Sequence, residues 1–143
     1  MENSNHFNVI VIGAGISGIG AGYYLKKNCP NKSFCIIEGR ENIGGTWDLF
    51  KYPGIRSDSD MFTLGYAFKP WKEQKTIANG PSILSYLEET VEENNLREKI
   101  KFSHKVLSAN WNSAERNWEV RAAHHEQEIL LTANFLFMGT GYY

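Results

Sequence analysis

The chain has 143 residues, 42% of them hydrophobic and 22% charged, a balance that fits one ordinary globular domain with a single core. A net charge of -1 offers no cationic surface for a polyanion, which argues against a nucleic-acid partner. The apolar run Val9–Ile12 is far too short to span a bilayer and the polar opening MENSNHFN lacks the features of a secretion signal. The expected location is therefore cytoplasmic, with no transmembrane segment.

In chain order, Phe7–Ile12 (FNVIVI) is a nearly continuous β-branched run, the pattern of a strand covered on both faces in a parallel sheet. Glycines follow at once in GAGISG, and Ile16, Ile19, Tyr23 and Lys27 then recur at helical spacing to about Asn28, with Pro30 closing the segment. Ser33–Glu38 (SFCIIE) reads as a second strand, which completes a βαβ unit with a right-handed crossover. Gly44–Asp60 (GGTWDLFKYPGIRSDSD) has neither helical nor strand period and reads as a loop arranged around something other than core. Asp60 is a candidate cap for a short helix to Phe68, with Met61, Leu64 and Phe68 along a core-facing side. A longer helix is expected from Pro81 to about Asn95, where Ile83, Leu87 and Val91 recur at i+4 and EETVEENN forms a solvated face. Lys101–Trp111, Asn117–Ala123 and Glu128–Ala133 read as a three-stranded antiparallel meander, and Phe135–Met138 as a final apolar strand ending in Gly139, Thr140 and Gly141.

Cys29 and Cys35 form no disulfide framework, and Cys35, in an apolar strand, is expected to be buried and inert. His6, His104, His124 and His125 lack the spacing of metal ligands, so no metal is expected.

Gly13, Gly15 and Gly18 form G-x-G-x-x-G between the first strand and the first helix. In that context Gly13 permits the tight turn, Gly15 lets backbone approach a pyrophosphate, and Gly18 lets helix pack on strand. The free N–H groups and dipole of the helix start favour the negative phosphates. Glu38, at the end of the second strand, stands where a carboxylate accepts the hydroxyls of an adenosine ribose and repels a 2′-phosphate. These residues point to a dinucleotide, and they leave NAD and FAD both open. The fold class they imply is α/β, a Rossmann-like parallel sheet joined to the antiparallel meander.

Beyond Glu38, the run EGRENIGG and the closing GTG resemble the glycine pair and the strand-end turn of FAD domains of the glutathione reductase type, with Gly139 replacing an alanine. The segment GGTWDLFKYPGIRSDSDMFTLGYAFKPW is similar to the flavin-side loop of class B flavoprotein monooxygenases, especially Baeyer–Villiger monooxygenases of the ethionamide-activating type. The similarity runs from VIGAGISG to FLFMGTGYY. It implies bound FAD reduced by NADPH, with oxygen then inserted beside a ketone or added to a sulfide; the hard chemistry belongs to the cofactor. It also implies site residues. Gly45, Thr46, Trp47, Asp48 and Leu49 would touch FAD, Ser17 the pyrophosphate, and Val106 the adenine edge through its backbone. Arg56, Ser57 and Asp58 would line the place of NADP, with Asp58 the acid close to the flavin ring that pairs with an arginine from the NADP-side half.

Only one G-x-G-x-x-G occurs, and the family's F-x-G-x-x-x-H-x-x-x-W fingerprint does not. Residues 1–143 are therefore expected to be the N-terminal portion of an FAD-binding domain, incomplete, without the NADP-binding domain and the C-terminal FAD segment, and inactive alone. A separate chain carrying the NADP-binding half would then be a partner. The alternative is a non-catalytic module that keeps the nucleotide grip for stability or sensing.

Overall fold

A computed structural model describes residues 5–143; Met1–Ser4, in the polar opening, lie outside the described residues. Strand β1 (His6–Ile12) leads into helix α1 (Ile16–Asn28) and strand β2 (Phe34–Ile37). Three further helices follow, α2 (Thr46–Leu49), α3 (Met61–Leu64) and α4 (Gly80–Glu93), then a 3-10 turn at Arg97–Lys99. The remaining strands are β3 (Ile100–Lys101), β4 (His104–Asn112), β5 (Asn117–His124) and β6 (Gln127–Met138). Together the strands form one mixed sheet in the order β3-β2-β1-β6-β5-β4.

The parallel centre explains the apolar runs. β1 lies between β2 and β6, parallel to both, with Ile10 opposite Cys35 on one side and Leu136 on the other. Both faces of these strands are covered, so every residue of Phe34–Ile37 is buried. On one face Val11 and Ile36 pack with Ile19 of α1 and with Ile83, Leu87 and Val91 of α4. On the other, Ile10, Ile12, Cys35 and Ile37 pack with Val120, Leu131 and Ala133 from the antiparallel strands. Each aliphatic side chain fully buried in this way contributes roughly 1.5–3 kcal/mol. The sheet returns on itself at its far side, where the N–H of His104 donates to the carbonyl of Glu38 at 2.9 Å and the N–H of Glu38 to that of Lys101 at 2.9 Å.

The helix ends follow their local chemistry. Asn79 caps α4 by accepting from the Ser82 N–H at 2.8 Å, and Pro81 lies in the first turn, where its missing N–H costs nothing. Lys26 and Lys27 occupy the last turn of α1 and complement its negative end.

Several elements differ from the sequence expectations. The helix capped by Asp60 stops at Leu64, because Gly65 is extended at ψ 162. Phe68 therefore lies beyond the helix and stacks on Tyr23 and Tyr66, with ring centroids 3.5 and 4.7 Å apart. Thr46–Leu49, read as loop, forms one helical turn. The third meander strand and the closing apolar strand are one element, β6, whose first part pairs antiparallel with β5 and whose later part pairs parallel with β1. Lys101 belongs to a separate two-residue strand parallel to β2, outside the meander. Phe135 (68%) and Met138 (62%) on β6 are largely exposed, as expected for a sheet with uncovered apolar surface. Among the described residues, no helix is long and apolar enough to cross a membrane.

Cys29 and Cys35 are both free thiols, and burial pushes the Cys35 thiol up to about 12, with nearby Lys101 opposing. An acid whose folded pKa is raised keeps its stabilising contribution below its unfolded value near 9.0 and loses it as pH rises towards 12. Stability of the wild-type chain relative to Cys35→Ala is therefore expected to fall above pH 9, at a slope of up to about 1.4 kcal/mol per pH unit. Urea unfolding of the two chains across that range measures it, and parallel curves would contradict it.

Candidate functional site

The site is built at the C-terminal ends of β1, β2 and β6, where three backbone turns converge. Gly13 leaves β1 at φ 101, and its N–H donates to the Ile37 carbonyl at 2.8 Å. A Cβ at Gly13 would lie 2.5 Å from the carbonyl oxygen of Gly139. A Cβ on Gly18, one turn into α1, would stand 1.7 Å from the Gly13 carbonyl oxygen. Neither position accepts a side chain. The helix start is thereby pressed against the strand end, and its N-terminus opens towards the space between the turns.

That N-terminus has no side-chain cap and no acid in its first turn. Its first N–H groups and the positive end of its dipole face the crevice without a carboxylate of their own. Glu38 instead lies at the end of β2, buried, where Oε2 accepts the Ala14 N–H at 2.8 Å and Oε1 accepts the Arg40 N–H at 3.1 Å. The acid thus ties the glycine turn to the turn after β2. The N–H of Gly44 donates to the Ala14 carbonyl at 2.9 Å and brings a third turn alongside.

Together these turns enclose a crevice of about 320 Å³. Of the residues singled out in the sequence, Gly13, Gly15, Ser17, Glu38, Gly45, Thr46, Trp47, Leu49 and Val106 line it. Gly15 is informative because the protein itself does not demand a glycine there. Its φ is -85, and a Cβ would meet the Gly45 Cα at 3.5 Å and the Gly45 nitrogen at 3.8 Å, both ordinary contacts. The missing side chain keeps space open at the helix start, where a phosphate group would need it. The donor set, the buried acid at the strand end and this gap together fit the ADP part of a dinucleotide.

The other singled-out residues lie elsewhere. Gly18 stands behind the crevice, in the contact of helix with strand. Asp48 has a largely buried carboxylate that pairs with the Arg40 guanidinium and lies 3.4 Å from Lys51 Nζ. Arg56 bridges to Asn79 and lines a neighbouring groove together with Trp47 and Tyr52. Ser57 is buried, its N–H donating to Ala78 at 2.9 Å and its hydroxyl accepting from the Ser59 N–H at 3.0 Å. Asp58 is exposed, and its charge helps to raise the Tyr143 phenol, after the larger effect of Tyr142. Tyr143 lines the crevice, and Asp58 does not.

Sequence reading missed Arg40, His104 and Tyr143 as crevice residues. Arg40 had a signal, since it stands two residues after Glu38 on the same turn. His104 had none, because a long-range hydrogen bond from its N–H to the Glu38 carbonyl places it there. Burial lowers the His104 imidazole below its usual value, with His124, Lys101 and His125 adding to the effect and its contact to the Phe102 carbonyl opposing it. A neutral ring therefore faces the crevice at neutral pH. Among the described residues, no group of three His, Cys, Asp or Glu side chains is placed to hold a metal ion.

The paired glycines separate stability from binding. Gly18→Ala is expected to lose about 3 kcal/mol or more from backbone overlap. Gly15→Ala should lose at most about 1 kcal/mol, the difference between glycine and alanine at a helix cap, yet weaken ADP binding at least tenfold. Urea unfolding and calorimetric titration with ADP check the pair; equal destabilisation with unchanged affinity would contradict the assignment.

Comparison with known proteins agrees with this geometry. Residues 11–73 match the NAD(P)-binding Rossmann-like domain. Over 140 residues the chain is 52% identical to the FAD-containing monooxygenase EthA of Mycolicibacterium smegmatis, covering 98% of this chain and 28% of that protein. The open crystal structure of cyclohexanone monooxygenase superposes with a TM-score of 0.87 at 29% identity, over 96% of this chain and 27% of that one. The crystal structure of OTEMO in complex with FAD and NADP superposes at 0.83 with 31% identity, over 94% of this chain and 26% of that one. The chain thus spans little more than a quarter of the length of the proteins it matches. Over nearly its whole length it is similar to FAD-containing monooxygenases, with Baeyer–Villiger monooxygenases among its structural neighbours.

Proposed function

We propose that this chain is the FAD-binding portion of a cytoplasmic, NADPH-dependent flavin monooxygenase of the Baeyer–Villiger type, which oxygenates ketones or sulfides. The observation that carries this reading is the uncapped start of α1, opening on a crevice that Gly15 leaves clear and that Glu38 bounds. Relatives named as FAD-containing, and a neighbour solved with both FAD and NADP, support the choice of cofactors.

In this reading each residue has a task that its position permits. Gly13 and Gly15 bring backbone to the pyrophosphate, Ser17 adds a hydroxyl in the first turn of α1, and Gly18 holds the helix against the strand. Glu38 accepts the ribose hydroxyls through lone pairs left over from its two backbone contacts. Val106 borders the adenine. Gly45, Thr46, Trp47 and Leu49 form the wall towards the flavin ring, where an indole excludes water and offers a flat face. Asp48 steadies that wall through Arg40 and Lys51. A bound flavin supplies the electron transfer and oxygen activation. Arg56, Ser57 and Asp58 border the place of NADP, and the Asp58 carboxylate, paired with an arginine from the NADP-binding half, fixes negative charge near the reacting atoms. Whether on the same polypeptide or on a separate chain, that half completes the site.

Two measurements test the proposal. Desalted after incubation with FAD, the chain is expected to keep flavin in near-stoichiometric amount, and Glu38→Ala to keep less than a tenth of it. Mixed with the NADP-binding half of a relative, it should oxidise NADPH, with Asp58→Asn lowering that rate about tenfold or more while flavin retention is unchanged. A chain that holds ADP but never flavin would contradict the proposal and leave only a nucleotide-binding module.

A further inference from the structure

Arg40 and Asp48 form an ion pair at the edge of the crevice, and steadying the wall does not account for an arginine placed beside the ribose acid. The Arg40 backbone N–H donates to Glu38 Oε1 at 3.1 Å, so this residue begins beside the carboxylate that bounds the ribose end. Its side chain lines the same crevice and turns away from that end, pairing with the Asp48 carboxylate and reaching the Gly45 carbonyl at 3.5 Å. The Asp48 side chain is only 10% exposed, and Lys51 is its other cationic neighbour, at 3.4 Å.

An arginine beside the ribose of a dinucleotide site is the residue that accommodates a 2′-phosphate, because its planar fork matches phosphate oxygens and its charge persists at all relevant pH. Here such an arginine is present next to Glu38 but held by another acid. We infer that Asp48 is a specificity-determining residue, holding Arg40 away from the ribose so that the crevice accepts an adenosine diphosphate with a free 2′-hydroxyl and rejects its 2′-phosphorylated form. The inference rests on the reading of this crevice as a nucleotide site. Within that reading it assigns discrimination to two residues. Glu38 repels the extra phosphate, and Asp48 removes the cation that would otherwise attract it. Since the proposed enzyme uses one cofactor without a 2′-phosphate and one with it, a crevice that admitted both would be blocked by the wrong one.

Calorimetric titration with ADP and with 2′-phospho-ADP, which keeps the 5′-diphosphate and adds only the 2′-phosphate, tests this on the intact chain. Wild type is expected to prefer ADP at least tenfold. Asp48→Ala should narrow that preference at least fivefold, through tighter binding of 2′-phospho-ADP and not through weaker binding of ADP. Asp48→Asn, which keeps the shape, should narrow it in the same direction. Arg40→Gln combined with Asp48→Ala should restore the wild-type ratio, because the freed cation is gone. Circular dichroism melts of each variant establish that it is folded. If wild type binds ADP while both Asp48 variants keep its preference, the specificity role is overturned and the nucleotide reading survives. A wild-type chain that binds neither nucleotide overturns both.

Discussion

A close approach of backbone to backbone governs this structure. The start of α1 lies against the end of β1 with no side chain between them, since a Cβ on Gly18 would overlap the Gly13 carbonyl and one on Gly13 would overlap Gly139. That contact sets the angle at which the helix leaves the sheet. It directs the helix N-terminus into the space where β1, β2 and β6 end, and leaves first-turn N–H groups facing outward with no capping side chain. The uncapped helix start that the proposed phosphate site relies on is therefore a consequence of packing.

Charge is arranged around that fixed point with some economy. Glu38 supplies negative charge at one end and ties two turns together through the Ala14 and Arg40 N–H groups. Arg40 carries the connection on to Asp48 in α2, so the ribose end and the aromatic wall share one chain of polar contacts. Partly buried ion pairs of this kind contribute little net stability, because desolvation offsets attraction. Their value lies in fixing side-chain direction, and here the Arg40 guanidinium is directed towards Asp48.

Much of this was legible in the sequence because local and global signals agreed. Phe7–Ile12, the glycine turn, α1 and β2 each carry a pattern that the fold only confirms, and Pro81 and the i+4 repeat mark α4 clearly. Where sequence reading went astray, tertiary pairing decided. Asn134 looked like a break between two strands, but its side chain accepts from Asn8 across the sheet and β6 continues through it. Phe68 fell at helical spacing, yet Gly65 ends the helix and stacking on Tyr23 and Tyr66 holds the ring instead. His104 reaches the crevice only because β4 returns beside β2, a contact between residues distant in sequence. The pairing of Asp48 with Arg40 depends on a helical turn that no periodicity announces.

The account stands or falls on where a nucleotide lodges. Amide chemical-shift mapping of the isotope-labelled chain during titration with ADP addresses this directly. Perturbed amides should cluster at residues 13–18, 38–40, 44–46 and 104–106, converging on the start of α1. Perturbation confined to the apolar groove between α1 and Phe137, or none at saturating ADP, would contradict it.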